Sequence, residues 1–398
     1  MIPPWVSFLL VLALILIFSK YELSIVLSIG ALIFAILTQI DIIASLISIF
    51  TNISIIFLAI ALAIIPILGG IMEESGLMLE MVQKMNISKK ISMMVVPAFF
   101  GLLPVAGGAL MSAPILDQID KEVDVNKKVA INVWFRHVLI LIYPISSAMI
   151  FASSSEVTGI SLYLIFLTLI PPFIIMVFIG YFTLIKNLKT NEQPSERDLK
   201  KVFHNMIPII IAPLIDFLGR TFFNNLFPNN LFLLIGLIIS LGIALKFANM
   251  GIISTKKIAK KMKIWRFPLL ILAMFWFLDI FRRSGVAAEI GSLNLSFILF
   301  IFFGFSLGFA TGRILVPLTI MVPIYLVQFT INTMPLMEFI FLYCSIFLGY
   351  IITPIHPCVA YSTNFFETNY KNVAKYLAIP TFLCFGLLLT VYILINLI

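Results

Sequence analysis

Apolar residues run in blocks long enough to cross a bilayer. They lie at about 3–19, 22–38, 53–70, 92–116, 129–152 and 160–185, and again at about 205–220, 231–247, 267–283, 295–328, 338–358 and 374–398. Blocks of this length predict membrane helices. Half of them precede, and half follow, the longest hydrophilic stretch, which runs from Lys186 to Asn205. The pattern therefore predicts a first repeat over 1–185, a cytoplasmic linker over 186–204 and a second repeat over 205–398. Segment 71–90 mixes Met and Leu with Glu and Lys, which predicts an amphipathic helix lying at the interface. Residues 280–292 are its expected counterpart on the other face.

The two halves repeat one another in order. Ser75-Gly76 followed by Glu80 returns as Ser284-Gly285 followed by Glu289, and Phe99-Phe100-Gly101 returns as Phe302-Phe303-Gly304. The apolar segment interrupted at Pro144 returns as one interrupted at Pro354. Interrupted membrane segments at matching places in two halves are the signature of a secondary transporter, and the interruptions point to its binding site.

Lysines and arginines decide the topology. If 92–116 and 295–328 are re-entrant hairpins, each half crosses five times, and an odd number of crossings inverts the second half. One side then collects all but five of the 26 Lys and Arg residues. The exceptions are Arg220, Arg282 and Arg283 on the other side, and Arg136 and Arg313 inside apolar segments. If 92–116 crosses once instead, that asymmetry largely collapses. The positive-inside rule favours the hairpins. It places the basic loops in the cytoplasm and both termini outside, in a multi-pass protein of the cell membrane.

Composition narrows the class further. The chain of 398 residues is 62% hydrophobic and 11% charged, with a mean hydropathy of +1.15, more apolar surface than a soluble domain can hide. The net charge of +8 sits in membrane-flanking loops and does not mark a nucleic-acid partner. Residues 3–19 lack a basic start and a cleavage site, so they read as a retained first helix. Cys344, Cys358 and Cys384 form no CxxC and read as small buried hydrophobes. There is no HExxH, GxSxG or P-loop, and no metal-ligand spacing, so the expectation is no enzyme, no metal and no cofactor.

Candidate chemistry lies at the hairpin tips and the helix breaks. In GLLPVAGGALMSAP, Pro104, Gly107, Gly108 and Pro114 oppose an unbroken helix, and Ser112 follows the tip. In SLGFATGRILVP, Thr311, Gly312, Arg313 and Pro317 do the same. Backbone that leaves helical geometry at membrane depth must be buried or line a wet cavity, where its N–H and C=O groups can hold ions. Pro144, with Tyr143, Ser146 and Ser147, and Pro354, with Thr353 and His356, predict helices that unwind midway. Arg313 suits a carboxylate or phosphate-like ligand, or else ties its hairpin together. His356 can relay protons, bond a substrate or be a satisfied core histidine. Arg136 reads as snorkelling to the cytoplasm. Asp216 with Arg220 and Asp279 with Arg283 have the i,i+4 spacing of ion pairs.

AFFGLLPVAGGALMSAPIL (98–116) and LGYIITPIHPCVAYSTNFF (348–366) resemble the integral-membrane family designated domain of unknown function 401. That family in turn resembles the ion-transporter superfamily of divalent-anion/sodium symporters and citrate and gluconate carriers. The resemblance implies two inverted repeats, each with a hairpin and a broken helix, often in a homodimer with elevator-type motion. Where dicarboxylate symporters carry Ser-Asn-Thr at the tips, this chain has Ala106-Gly107-Gly108 and Ala310-Thr311-Gly312. The expected function is secondary active transport of a small organic or inorganic anion, coupled to sodium or protons. A passive channel and an intramembrane enzyme using Ser147 with His356 are the rival readings.

Overall fold

A computed structural model describes residues 3–18, 21–102, 108–188, 198–223, 226–228 and 230–397. Those residues are all-α. The first half contains α1 (Pro4–Ile17), α2 (Leu23–Thr38), α3 (Ile42–Thr51), α4 (Ile53–Glu74), α5 (Leu77–Lys84), α6 (Lys89–Leu102), α7 (Gly108–Ile119), α8 (Val125–Ile142), α9 (Ser147–Ala152) and α10 (Leu162–Gly180), which continues as a π-helical turn, Tyr181–Ile185. The second half contains α11 (Leu199–Phe222), α12 (Leu231–Ala248), α13 (Ile252–Lys261), α14 (Arg266–Arg283), α15 (Val286–Gly291), α16 (Phe297–Thr311), α17 (Leu315–Gln328), α18 (Leu336–Ile352), α19 (Pro357–Phe365) and α20 (Tyr370–Leu397).

Seven of these stretches are long and apolar enough to cross a membrane, or eight if the α13–α14 pair, bent by 53°, counts as one. The chain is thus a multi-pass membrane protein. The segments Val125–Ala152 and Leu336–Phe365 each qualify as one span running through its break. Helices α1 and α2 are 14 and 16 residues long and fall short of a full crossing, where the apolar pattern predicted full spans. The bend before α14 was not foreseen, because the lysines of 256–266 read as a loop.

The elements of the two halves correspond in order, and so does their local geometry. Gly76 (φ +79°) and Gly285 (φ +77°) both open a short helix from the left-handed region, which a side chain resists and glycine does not. Packing follows the same exchange: α2 lies on α14 and α12 on α4, α15 lies on α1 and α5 on α11, α6 lies on α8 and α16 on α18. The result is two bundles, each drawing on both halves. One comprises α1–α5 with α11–α15, the other α6–α10 with α16–α20. They meet where α14 and α15 pack on α17 and where α5 packs on α6.

Helices α6, α7, α16 and α17 have 14, 12, 15 and 14 residues. At about 1.5 Å per residue none reaches across a hydrocarbon core of about 30 Å. They pack as two pairs, α6 on α7 and α16 on α17. Each pair is seated on its broken helix by a close backbone approach: a Cβ on Gly101 would strike the Arg136 carbonyl, and one on Gly308 the Ile346 carbonyl. Pro114 and Pro317, expected at breaks, lie inside α7 and α17 instead. Pro317 falls in the first turn of its helix, where the missing N–H costs no intrahelical bond. Ion pairs with i,i+4 spacing join Asp216 to Arg220 at 2.8 Å and Asp279 to Arg283 at 2.7 Å, as their spacing predicts.

Candidate functional site

The second break is built by two prolines. Pro354 disfavours helical geometry at the residue before it. Thr353 accordingly leaves α18 in an extended conformation (φ −70°, ψ 141°). His356 is extended too (φ −70°, ψ 123°), and Pro357 starts α19 at a position that tolerates it. The first break has the same form, with Tyr143 at φ −74°, ψ 114° and Ser146 at φ −64°, ψ 138°. The turn of the second hairpin rests on the second break. Gly312 (φ +59°) lies against Ile355 and Thr353, and the Thr311 hydroxyl donates to the Leu307 carbonyl at 2.7 Å.

Around this point the fold gathers a cluster that includes residues from both halves. His356 Nε2 lies 2.8 Å from His137 Nε2 on α8, and the Tyr350 ring packs edge-on against His356, with centroids 4.3 Å apart. His137 Nδ1 lies 2.5 Å from the Val133 carbonyl. Arg136 is 4% exposed; it approaches the Cys358 thiol, but its Nε and Nη1 have no hydrogen-bond partner. The Thr353 hydroxyl and His356 Nδ1 are likewise buried without one. Arg313, in the hairpin turn, is within electrostatic reach of His356, Tyr350 and Cys358. Among the described residues, no carboxylate lies within 4.0 Å of either arginine. Glu73 of α4 acts on Arg136 from farther away.

A second buried chain of bonds runs beside the cluster. The Ser112 hydroxyl donates to Asn132 Oδ1 at 2.6 Å, and Asn132 Nδ2 donates to Ser362 at 2.9 Å. It ties α7, α8 and α19 together.

The cluster has a definite electrostatic character. A buried polar group without a partner costs free energy, and a buried charge costs more. Of the open atoms, Arg136 Nε and Nη1 and the Thr353 hydroxyl can donate, and His356 Nδ1 is a ring nitrogen whose role depends on its tautomer; an anion is the kind of ligand that would satisfy the donors. His137, His356 and Cys358 also bring three donor atoms within 4.8 Å of one another. The 2.8 Å Nε2–Nε2 separation is that of a direct hydrogen bond. Two nitrogens bound tetrahedrally to one zinc ion stand about 3.3 Å apart, and the neighbouring guanidiniums oppose a dication. In this structure the two histidines bond directly to each other, and Cys358 stands beside them.

The predicted site residues divide as follows. Thr353, His356, Gly312 and Arg313 gather at the second break, with Thr311 at the adjoining turn. Ser112 joins the Asn132 network, and Gly108 opens α7. Ser146 caps α9 by accepting the Met149 N–H at 3.3 Å. Ser147 begins that helix, and the Tyr143 hydroxyl donates to the Ile209 carbonyl at 3.5 Å, toward α11. Ser147 and His356 share no hydrogen bond among the described residues. Pro104 and Gly107 lie outside the described residues. Sequence reasoning missed the roles of Arg136, His137, Asn132 and Cys358. One signal for them was available: Asn132 and Arg136 are spaced i,i+4, which puts a polar stripe on one face of an otherwise apolar helix.

A family model described as "Protein of unknown function (DUF401)" matches residues 5–395, nearly the whole chain. No curated protein matches it.

Proposed function

The chain belongs to the DUF401 family, and from that premise we propose that it is a secondary active transporter of a small organic or inorganic anion. In this reading the anion is coupled to sodium or protons and moves by alternating access of elevator type. The observation that carries it is Arg136, a buried intramembrane cation with open donors that shares His356 and Tyr350 with Arg313. An intramembrane charge is retained at a cost, and an anionic cargo gives that cost a use.

Two further features support the reading. The halves carry matching elements with exchanged packing, which suits an inverted repeat of 1–185 and 205–398 about an axis in the membrane plane. The inversion also survives the shortness of α1 and α2. Whether that pair crosses twice or dips and returns, the number of crossings per half stays odd. The lysine and arginine map then puts the basic loops in the cytoplasm and both termini outside. The bundle of hairpins and broken helices would move against the other bundle. The superfamily resemblance supplies the elevator motion and a homodimeric assembly.

The test is a thermal-shift and proteoliposome-uptake panel of small anions, organic cations and neutral solutes, under imposed sodium and proton gradients. A ligand that binds only the folded state raises its apparent stability by mass action. The expected result is stabilisation and gradient-driven uptake confined to anions. Stabilisation by cations or neutral solutes alone sinks the reading, and anion flux indifferent to every gradient makes the protein a passive pore.

A further inference from the structure

Hydrogen-bond directions in the histidine pair settle on one arrangement. The Val133 carbonyl can only accept, so His137 Nδ1, 2.5 Å away, carries a hydrogen. In the neutral ring that leaves His137 Nε2 as an acceptor. Its partner at 2.8 Å is His356 Nε2, which must therefore be the donor. The neutral His356 ring is then left with a lone pair on Nδ1, and that atom is buried with no partner. A one-way chain runs from His356 through His137 to the α8 backbone, and its single open end is a base.

The charged and titratable groups that act on this base or touch its ring come from four places in the fold. They are Arg136 and His137 on α8, Arg313 on the hairpin turn, Tyr350 on α18 and Cys358 on α19. Both fixed charges are positive. A proton added at His356 Nδ1 makes a third positive charge in one buried place, whereas an anion seated on Arg136 removes that repulsion. Proton and anion therefore favour each other's binding, and linkage makes the factor the same in both directions.

We infer that the coupling ion is a proton, taken up at His356 Nδ1 together with the anion and carried with it as a symport. His137 is the positioning residue that holds the Nε2–H tautomer of His356. The inference rests on the anion reading and deepens it. It also gives the second break a role without Ser-Asn-Thr tips, which this chain lacks. No atoms beyond the proton change hands: it bonds to Nδ1 on entry and leaves from it on release.

The chain has three histidines, so nitrogen-15 NMR of the full chain in nanodiscs resolves them, with His204→Gln for assignment. Inorganic phosphate, sulfate, acetate and citrate serve as the anion probes. The expected spectrum shows His137 as the Nδ1–H tautomer and His356 as the Nε2–H tautomer. His356 should titrate at a higher pH once a probe is bound. Affinity for that probe should tighten about tenfold per pH unit as pH falls through the range where His356 titrates, the slope for one linked proton. In His356→Gln, whatever affinity remains should be independent of pH. His137→Phe should leave the fold intact and release His356 into both tautomers.

A probe that binds with no slope, or with His356 unmoved, overturns the symport while leaving the anion reading in place. A sodium-dependent affinity in its stead assigns the coupling to sodium. If all four probes fail to bind, the anion reading falls and the symport with it. Zinc binding that replaces the histidine–histidine bond would make the cluster a metal site and would also overturn the proposal.

Discussion

At the first helix break both residues that flank the interruption have partners: Ser146 caps α9, and the Tyr143 hydroxyl reaches a carbonyl on α11. At the second break the backbone runs the same way, but Thr353 Oγ1 and His356 Nδ1 are buried and open, and α19 starts on a proline without a side-chain cap. A proline-induced interruption is thus a structural device in both halves. Only the second joins its open polar atoms to a buried arginine and a histidine pair. The difference teaches that two breaks of one shape need not carry one chemistry, and that the asymmetry, more than the shape, singles out the second break as the candidate site. Helices α8 and α18 divide the work in the same unequal way. Asn132, Arg136 and His137 all lie on α8 and reach across to residues of the second half, or meet them beside the second break.

The largest effect is expected at Arg136, which makes the asymmetry useful. Arg136→Gln should weaken anion binding by about 2–5 kcal/mol, the usual loss when one member of a buried charged pair is truncated, or roughly 30-fold to several thousand-fold. It should not lower the melting temperature of the ligand-free protein, because a buried charge without an ion pair is removed. Unchanged affinity would break the comparison outright, since Arg136 would then belong to the scaffold.

A pair of smaller substitutions sharpens the contrast between the breaks. Ser146→Ala removes a helix cap and should cost about 1 kcal/mol of stability, with anion affinity unchanged. Thr353→Val removes an unpartnered hydroxyl at nearly constant volume. It should leave stability nearly unchanged and weaken binding by about 1 kcal/mol, roughly fivefold. Thermal unfolding and calorimetric titration on the same samples read both quantities. If the two variants behave alike, the breaks are equivalent and the asymmetry lies elsewhere.

Much of the fold was legible because its signals are local. Apolar blocks gave the long helices, prolines gave the two breaks, and i,i+4 spacing gave the pairs Asp216–Arg220 and Asp279–Arg283. The shortness of α1 and α2 was not legible, because helix ends depend on packing that the apolar pattern does not record. The site was half legible. Thr353, His356 and Arg313 stand out as polar groups at breaks. The partner of His356 lies 219 residues away, and no sequence spacing announces such a contact. Arg136 was misplaced for a physical reason. A long basic side chain near a helix start can always snorkel, and only the close seating of Gly101 on its carbonyl shows it enclosed.

The smallest effect is expected at the short helices α5 and α15, where the halves again share a shape and differ in chemistry. Glu80 accepts from Lys201 Nζ at 2.7 Å and from Asn205 at 3.1 Å. The first of these bonds, aided by the second, holds its carboxyl below the usual range. Its counterpart Glu289 accepts the backbone N–H of Trp5 at 3.2 Å. A carboxyl lowered in the folded state contributes stability that is complete above its unfolded value, near pH 4.3, and is lost as pH falls through the folded value. Wild-type protein should therefore lose some melting temperature on acidification from about pH 5 to about pH 3, and Glu80→Gln should lose less. The pair is exposed, so screening keeps the difference small and salt should shrink it further. Glu289→Gln retains an amide oxygen that can accept from Trp5 and should leave stability at neutral pH unchanged. An acid-induced loss identical in wild type and Glu80→Gln would mean that the Glu80–Lys201 contact contributes nothing to holding α5 on α11, and that packing alone seats both short helices.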